Sequence, residues 1–300
     1  MTVARAYVGA IVAVLVWGAS FIATKIALRE VGPFTVIVLR FGIGTLVLFA
    51  AVARRGGFYW PPLDDLLSFA AIGVLGITLH QALQVTGLVT AQASTTAWII
   101  TATPLIMALV GRVVLGERVG WRQFLGIAVG AVGVLLVVSR GDWVSLARGS
   151  FGSIGDLLVG LSTLTWALFS VYSRRALQRH AAATMMLYVM AGGWLATAFP
   201  WAVAGRVAEV SRLTAAGWTS IAFLGVLCSG LAYVYWYDAL RVLPAARVGA
   251  LLYLEPLVTM AVAGALLGEV VTAGSIVGGG IILLGVQLAA RRPVAARSAT

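Results

Sequence analysis

The sequence predicts an all-α integral membrane protein of ten transmembrane helices, arranged as two inverted five-helix repeats with both termini cytoplasmic. Three observations predict it. Of 300 residues, 61% are hydrophobic and only 10% charged, with a mean hydropathy of +1.01; soluble domains carry about 25% charged residues. The apolar runs do not alternate and approach the length of about 20 residues that a spanning helix needs. The two halves of the chain also resemble each other at a nearly constant offset.

Loop signals place helices at 6–28, 34–53, 66–87, 91–114, 120–139, 153–176, 183–204, 215–239, 244–267 and 271–290. Val31-Gly32-Pro33, Gly87 to Ala91 and Leu243-Pro244 mark short breaks, and 54–65 and 140–152 mark longer ones. Arg5 precedes the first apolar run, as in a signal peptide. That run is too long for an h-region of about 7–15 residues, and further spans follow, so it reads as the first helix.

Net charge is +11, spread singly or in pairs between apolar runs. That is loop patterning rather than a nucleic-acid patch. With the N-terminus inside, the inner basic residues are Arg5, Arg54, Arg55, Arg112, Arg118, Arg122, Arg174, Arg175, Arg179, Arg241, Arg247, Arg291, Arg292 and Arg297. The outer ones are Lys25, Arg29, Arg40, Arg140, Arg148, Arg206 and Arg212. Fourteen against seven puts both termini in the cytoplasm of an inner (cytoplasmic) membrane protein. Trp60, Trp121, Trp143, Trp201 and Trp218 fall near span ends, where indoles sit at the interface. The single cysteine, Cys228, reads as a small packing residue.

At an offset of 152 residues, Gly73-Val74-Leu75 matches Gly225-Val226-Leu227 and Pro104-Leu105 matches Pro256-Leu257. Leu115-Gly116-Glu117 likewise matches Leu267-Gly268-Glu269, and Gly133-Val134 matches Gly285-Val286. The first and sixth helices align at a slightly smaller offset through Trp17 and Trp166 and through Ala27-Leu28 and Ala176-Leu177. This gives repeats over 1–140 and 153–300 joined by a linker at 141–152. A five-helix unit repeated in tandem enters the membrane from opposite sides, a layout typical of alternating-access transporters with a site between the halves.

Gly126, Gly130 and Gly133 form one small face, and Gly274, Gly278 and Gly285 another. They suit close helix packing within each half, or a homodimer seam. Pro104 and Pro256 read as paired mid-helix kinks and candidate hinges.

Ionisable groups inside the hydrocarbon need a partner or a wet cavity, since each costs about 2.5–3.5 kcal/mol on insertion scales. Four stand out. His80 lies on a stripe with Gly73, Gly76, Gln84 and Gly87, which suits a cavity wall or a structural histidine, and it is the candidate proton site. Arg40 could meet a substrate carboxylate or pair with Glu255 or Glu30. Glu255 could bind an ammonium or a proton, or hold helix ends. Lys25 reads as a snorkelling residue, and Glu117 and Glu269 read as structural.

Positions that break the repeat add candidates. His80 opposes Ala232, Gln84 opposes Trp236, Trp98 opposes Ala250, Thr101 opposes Tyr253 and Thr103 opposes Glu255. Trp17 and Trp166 are mid-span, with Ser20 and Ser170 one turn on. The candidate substrate-binding set is therefore Trp17, Ser20, Arg40, His80, Gln84, Trp98, Thr101, Trp166, Tyr253 and Glu255, with Pro104 and Pro256 as hinges. An aromatic chamber would favour apolar, aromatic or cationic moieties; the alternative for each Trp is core packing or contact with lipid.

The segments LGERVGWRQFLGIAVGAVGVLLVV (115–138), GDLLVGLSTLTWALFSVYSRRAL (155–177) and LEPLVTMAVAGALLGE (254–269) resemble the drug/metabolite transporter superfamily in its ten-helix EamA branch. Within that branch they are most similar to the YddG-type aromatic amino-acid exporters. The resemblance implies export or exchange of small metabolites such as amino acids, without ATP or a cofactor. Drug, nucleoside or sugar carriers of the same superfamily are the alternative. An intramembrane enzyme would need paired carboxylates or a His-rich metal set, and two His, one Cys and mostly terminal acids do not form one. No GxxxxGK[ST] loop is present for ATP-driven pumping. A channel would need a ring of pore-lining groups.

Overall fold

The computed structural model describes residues 2–115, 120–142, 144, 147–148, 152–240, 242–243, 248 and 251–290. Glu117, Arg118, Trp143, Arg241, Pro244, Arg247, Arg291, Arg292 and Arg297 lie outside the described residues. Among those described there are helices and no strands.

α1 (Val3–Ala27) starts at Thr2, whose side chain accepts from Arg5 N. α2 (Pro33–Arg54) starts with proline in its first turn, where the missing N–H would have had no helical partner. α3 (Leu63–Gly73) passes through a π-helical segment, Val74–Leu79, into α4 (His80–Gly87). α5 (Ala93–Thr101), α6 (Thr103–Leu115) and α7 (Trp121–Val138) follow. α8 (Ile154–Leu177) opens on a reciprocal cap between Ser153 and Asp156. Then come α9 (Ala182–Val203), a 3₁₀ turn at Arg206–Arg212 and α10 (Ala215–Ala222). A second π segment, Phe223–Leu231, leads into α11 (Ala232–Leu240). A short 3₁₀ turn at Leu252–Leu254 precedes α12 (Glu255–Leu267), which Gly268 closes at φ +66°. α13 (Ala273–Ala290) ends the described chain.

Seven of these helical stretches are long and apolar enough to cross a membrane. They are Val3–Ala27, Pro33–Arg54, Leu63–Gly87, Trp121–Val138, Ile154–Ser173, Ala182–Val203 and Ala215–Ala239. Ala93–Met107, Leu252–Leu267 and Ala273–Ala289 are shorter apolar helices.

The helices expected over 66–87 and 215–239 run as single stretches, Leu63–Gly87 and Ala215–Ala239, each containing a π segment at matching places in the repeat. Three sequence expectations need correction here. Pro104 and Pro256 are not mid-helix kinks: they lie in the first turns of α6 and α12, where a proline costs no backbone bond. The small faces of α7 and α13 do not pack within each half. They pack on each other: a Cβ on Gly133 would lie 2.7 Å from Gly278 O, and one on Gly285 would lie 2.6 Å from Gly126 O. Lipid tails supply no hydrophobic drive between helices, so such close backbone approach is what holds them together. Finally, Gly73, Gly76 and Gly87 are not a cavity wall. The π segment rotates the stripe, so Gly73 packs on Val189 and Gly193 of α9, Gly76 on Phe169 of α8, and Gly87 on Gly155 and Val159 of α8.

The largest buried cluster joins α2, α3, α9 and α10 through Ile37, Phe41, Leu48, Phe69, Met186, Met190 and Ile221. It forms the scaffold on which the polar interior is mounted.

Candidate functional site

The first half of the interior is set by His80, at the start of α4 directly after the π segment. Its ring is buried, and Nδ1 lies 2.9 Å from the Ser162 carbonyl of α8. A carbonyl only accepts, so Nδ1 carries the proton and donates, which leaves Nε2 without a partner among the described residues. The ring packs on Trp166 with centroids 5.0 Å apart, and Trp166 packs on Phe169 at 4.9 Å. Gln84 is buried one turn on, and the neighbouring Gln81 has a buried Oε1 with no donor.

The second half of the interior gathers around Cys228, in the second π segment. Trp17 Nε1 donates to the Cys228 carbonyl at 3.0 Å, and the Trp17 ring lies 5.6 Å from Tyr233 and 5.2 Å from Trp236. Backbone carbonyls in a widened turn are free to take such bonds, which is why π segments recur at functional places. Arg40 is buried, and its Nε donates to Ser229 Oγ at 2.8 Å. Its guanidinium carbon lies 5.1 Å from the Phe41 ring centroid, and its two Nη atoms have no hydrogen-bond or ion-pair partner among the described residues. Glu255 is half-buried at the start of α12, and its carboxylate has no hydrogen bond or ion pair among the described residues. The two charges share one layer. Ser229 and Cys228 adjoin Arg40, Cys228 Sγ reaches Val16 O, and the Glu255 backbone packs on Gly18 two residues further along α1.

Two pairings expected for the charges are therefore corrected. Arg40 binds neither Glu255 nor Glu30. Glu30 is instead spent on the start of α10, accepting from Thr214 N and Oγ1 at 2.7 Å each. Lys25 does not snorkel: Nζ donates to Ala91 O at 2.5 Å and sits 4.0 Å from Glu269. Ala91 is buried in the turn between α4 and α5, so this half-buried amine answers a carbonyl that water does not reach. Glu269 in turn caps α5, accepting from Ala93 N, Ser94 N and Ser94 Oγ.

The structure thus brings Trp17, Arg40, His80, Trp166 and Glu255 into the polar interior; Ser20 is buried on α1, where its carbonyl accepts from Thr24 Oγ1. It does not bring Trp98, Thr101 and Tyr253 there. The Trp98 ring fills the groove over Gly279 in a cluster with Leu105, Val137 and Ile282, and Tyr253 packs on that same cluster. Thr101 Oγ1 bonds back to Ala97 O. Tyr233, Tyr237, Ser229 and Ser162 escaped the sequence reading. The 233/236/237 spacing on one helix face was the available signal for the first two. A cavity of about 500 Å³ lies apart from these groups, between α3 and α8, lined by Asp65, Phe69, Ile72, Leu75, Tyr172 and Arg179 among others.

The EamA-like transporter family matches the chain twice, over residues 4–139 and 153–291. The chain belongs to that family. A protein of Archaeoglobus fulgidus named as an uncharacterized transporter is 30% identical over 91% of this chain and 93% of its own length. YyaM of Bacillus subtilis, also named as an uncharacterized transporter, is 26% identical over 91% and 89%. A probable terminal-alkyne amino-acid exporter of Streptantibioticus cattleyicolor is 28% identical over 99% and 97%. One crystal structure shares the fold with a TM-score of 0.66 at 20% identity, covering 96% of this chain and 98% of that one. As a family member, this chain is a multi-pass membrane transporter of the inner membrane.

Proposed function

We propose that this family member is an alternating-access secondary transporter that exports or exchanges small metabolites, with amino acids, aromatic ones included, as the cargo class. In this reading the three shorter apolar helices join the seven long ones to make ten spans. Residues 1–140 and 153–300 are then inverted halves joined by 141–152, and both termini are cytoplasmic.

The observation that carries the reading is the pair Arg40 and Glu255. Arg40 is buried and Glu255 half-buried in one layer, and neither has a counter-charge among the described residues. Each costs about 2.5–3.5 kcal/mol in hydrocarbon unless something answers it. A zwitterion answers both, its carboxylate at the free Nη atoms of Arg40 and its ammonium at Glu255. Trp17, Tyr233 and Trp236 beside them, and the His80–Trp166 pair opposite, offer ring faces to an apolar or aromatic side chain. Similarity to an amino-acid exporter supports the cargo class, and the likeness to YddG-type exporters supports its aromatic members. Pro104 and Pro256, each at a helix start beside an irregular turn, are the hinge candidates.

Counterflow into proteoliposomes tests this, with a panel of amino acids, a nucleoside and a sugar, with and without a pH gradient. Amino-acid counterflow above that of empty vesicles is expected. Equal flux in empty and loaded vesicles would defeat the carrier reading, and flux of only the nucleoside or sugar would move the cargo class. A pH gradient that drives uphill flux, lost in His80→Ala, would make protons the coupling ion.

A further inference from the structure

The repeat offsets place two clefts in register, and their packing differs. On one side α3 faces α8; on the other α10 faces α1. The matched positions are Tyr172 and Ala23, Ala176 and Ala27, Ser68 and Ser220, and Arg179 and Glu30. Tyr172 is 49% exposed where Ala23 is 9% exposed. Ala176 is half-buried and Ser68 exposed, whereas Ala27 and Ser220 are buried. The α3–α8 side holds the 500 Å³ cavity. Two copies of one architecture thus stand in two states, one cleft open and one filled.

Each cleft also has a polar tie at its rim, and one end of each, Glu30 and Arg179, is a repeat-matched place with opposite charge. In the filled cleft, Glu30, just after α1, takes both the N–H and the hydroxyl of Thr214, the cap of α10, and its carboxylate abuts Gly217. In the open cleft, Arg179, just after α8, reaches Asp65 in the first turn of α3 at 3.7 Å, and its side chain is 74% exposed. His180 Nε2 adds a 3.1 Å approach to Asp65, outside hydrogen-bond geometry. By the offsets, Glu30 matches Arg179 and Gly217 matches Asp65. One tie closes on a helix terminus; the other joins Asp65 and Arg179 at the lining of the cavity.

We propose that the α1–α10 and α3–α8 clefts are the two gates of the carrier, and that the Glu30–Thr214 contact is the latch that keeps the first gate shut while the second is open. The proposal rests on the inverted-repeat reading above. The carboxylate acts on the α10 terminus, where it answers two donors and the positive end of the helix. The Asp65–Arg179/His180 set is the counterpart latch, which tightens when the α3–α8 cleft closes. The two equilibria are coupled, because opening of both gates at once would leave an aqueous leak.

Cysteine accessibility tests this in the full-length protein, in a Cys228→Ser background. Tyr172→Cys and Ala23→Cys, each alone, are labelled with a membrane-impermeant maleimide in vesicles of both orientations. Tyr172→Cys should react faster, and from the opposite side of the membrane to Ala23→Cys. Adding Glu30→Ala should raise labelling at position 23 and lower it at position 172, each by about threefold or more for loss of an exposed charge-assisted bond. Asp65→Asn should push both sites the other way. General unfolding would raise both rates together, and that result, or no change at either site, overturns the latch. Loss of flux with the reciprocal labelling intact would instead count against the cargo reading and leave the latch standing.

Discussion

Replacing Glu269 by alanine is a sharp test of how the short helices are anchored. Its side chain is only 8% exposed and accepts three hydrogen bonds, from Ala93 N at 2.8 Å, Ser94 N at 3.0 Å and Ser94 Oγ at 2.7 Å. Two of these donors are first-turn N–H groups of α5, which have no partner within the helix. Loss of a capping side chain costs about 1 kcal/mol in typical hosts, and bonds to an ionised acceptor are worth about 1.5–3 kcal/mol each. Some water reaches the vacated site, so the sum is discounted to about 2–4 kcal/mol. With an unfolding entropy near 2.1 cal/mol/K per residue, a chain of 300 residues loses about 3–6 °C of Tm. The assay is thermal unfolding in detergent, followed by tryptophan fluorescence. Glu269→Gln keeps one acceptor oxygen in place and should lose about half as much. The Lys25 contact is long at 4.0 Å, so a double-mutant cycle with Lys25→Ala should give a coupling below about 0.5 kcal/mol. If Glu269→Ala melts within a degree of the parent, the carboxylate is not what holds α5 against the start of α13, and the reasoning fails.

Three further outcomes follow from particular contacts. Gly133→Ala places a Cβ 2.7 Å from the Gly278 carbonyl and from Ile282 N, so α7 and α13 must part; a loss of about 1–3 kcal/mol in the same melt is expected, and no loss would mean the seam is loose. Arg40→Gln keeps a donor near Ser229 but removes the charge, and should lower kcat/KM for amino-acid counterflow about 10-fold or more while Tm changes little; unchanged flux would make Arg40 structural. Glu209 accepts from Thr35 Oγ1 at 2.5 Å and Gly32 N at 2.9 Å, and these bonds, with Arg206 and Arg212 nearby, hold its carboxyl below its ordinary value of 4.5. A depressed carboxylate stabilises the fold above 4.5 and loses that contribution as pH falls through the lower folded value. Unfolding midpoints should therefore be flat above pH 5 and fall below 4.5, and Glu209→Gln should flatten that fall; equal acid slopes would remove Glu209 from the account.

Much of this was legible in the chain itself. Composition and run length alone demanded helices, because hydrocarbon offers no partner to an unpaired peptide group. Helix starts were readable to within a few residues where a local signal exists, as at the Val31-Gly32-Pro33 break. The repeat singled out Trp17, His80 and Trp166, and the burial cost of charge singled out Arg40 and Glu255. These signals are local or compositional, so they survive without coordinates.

Partnership was not legible. Gly126 and Gly285 lie 159 positions apart, and a small face does not name the face it meets; the sequence pointed inward to each half, and the structure paired α7 with α13 across them. The same holds for Arg40, whose partner is a serine hydroxyl rather than either acid, and for Lys25, which found the Ala91 carbonyl in the turn between α4 and α5. Trp98 was singled out because it breaks the repeat opposite Ala250, and of its two readings the structure gives core packing, its ring lying over Gly279. The π segments left no signal at all, since one extra residue in a turn does not alter an apolar run, but it turns the stripe through His80 onto two different neighbours. The amino-acid order determined that the chain is helical, apolar and doubled, because those properties belong to each segment alone. Only the packed bundle decided which charges stay unanswered, because that depends on which segments meet.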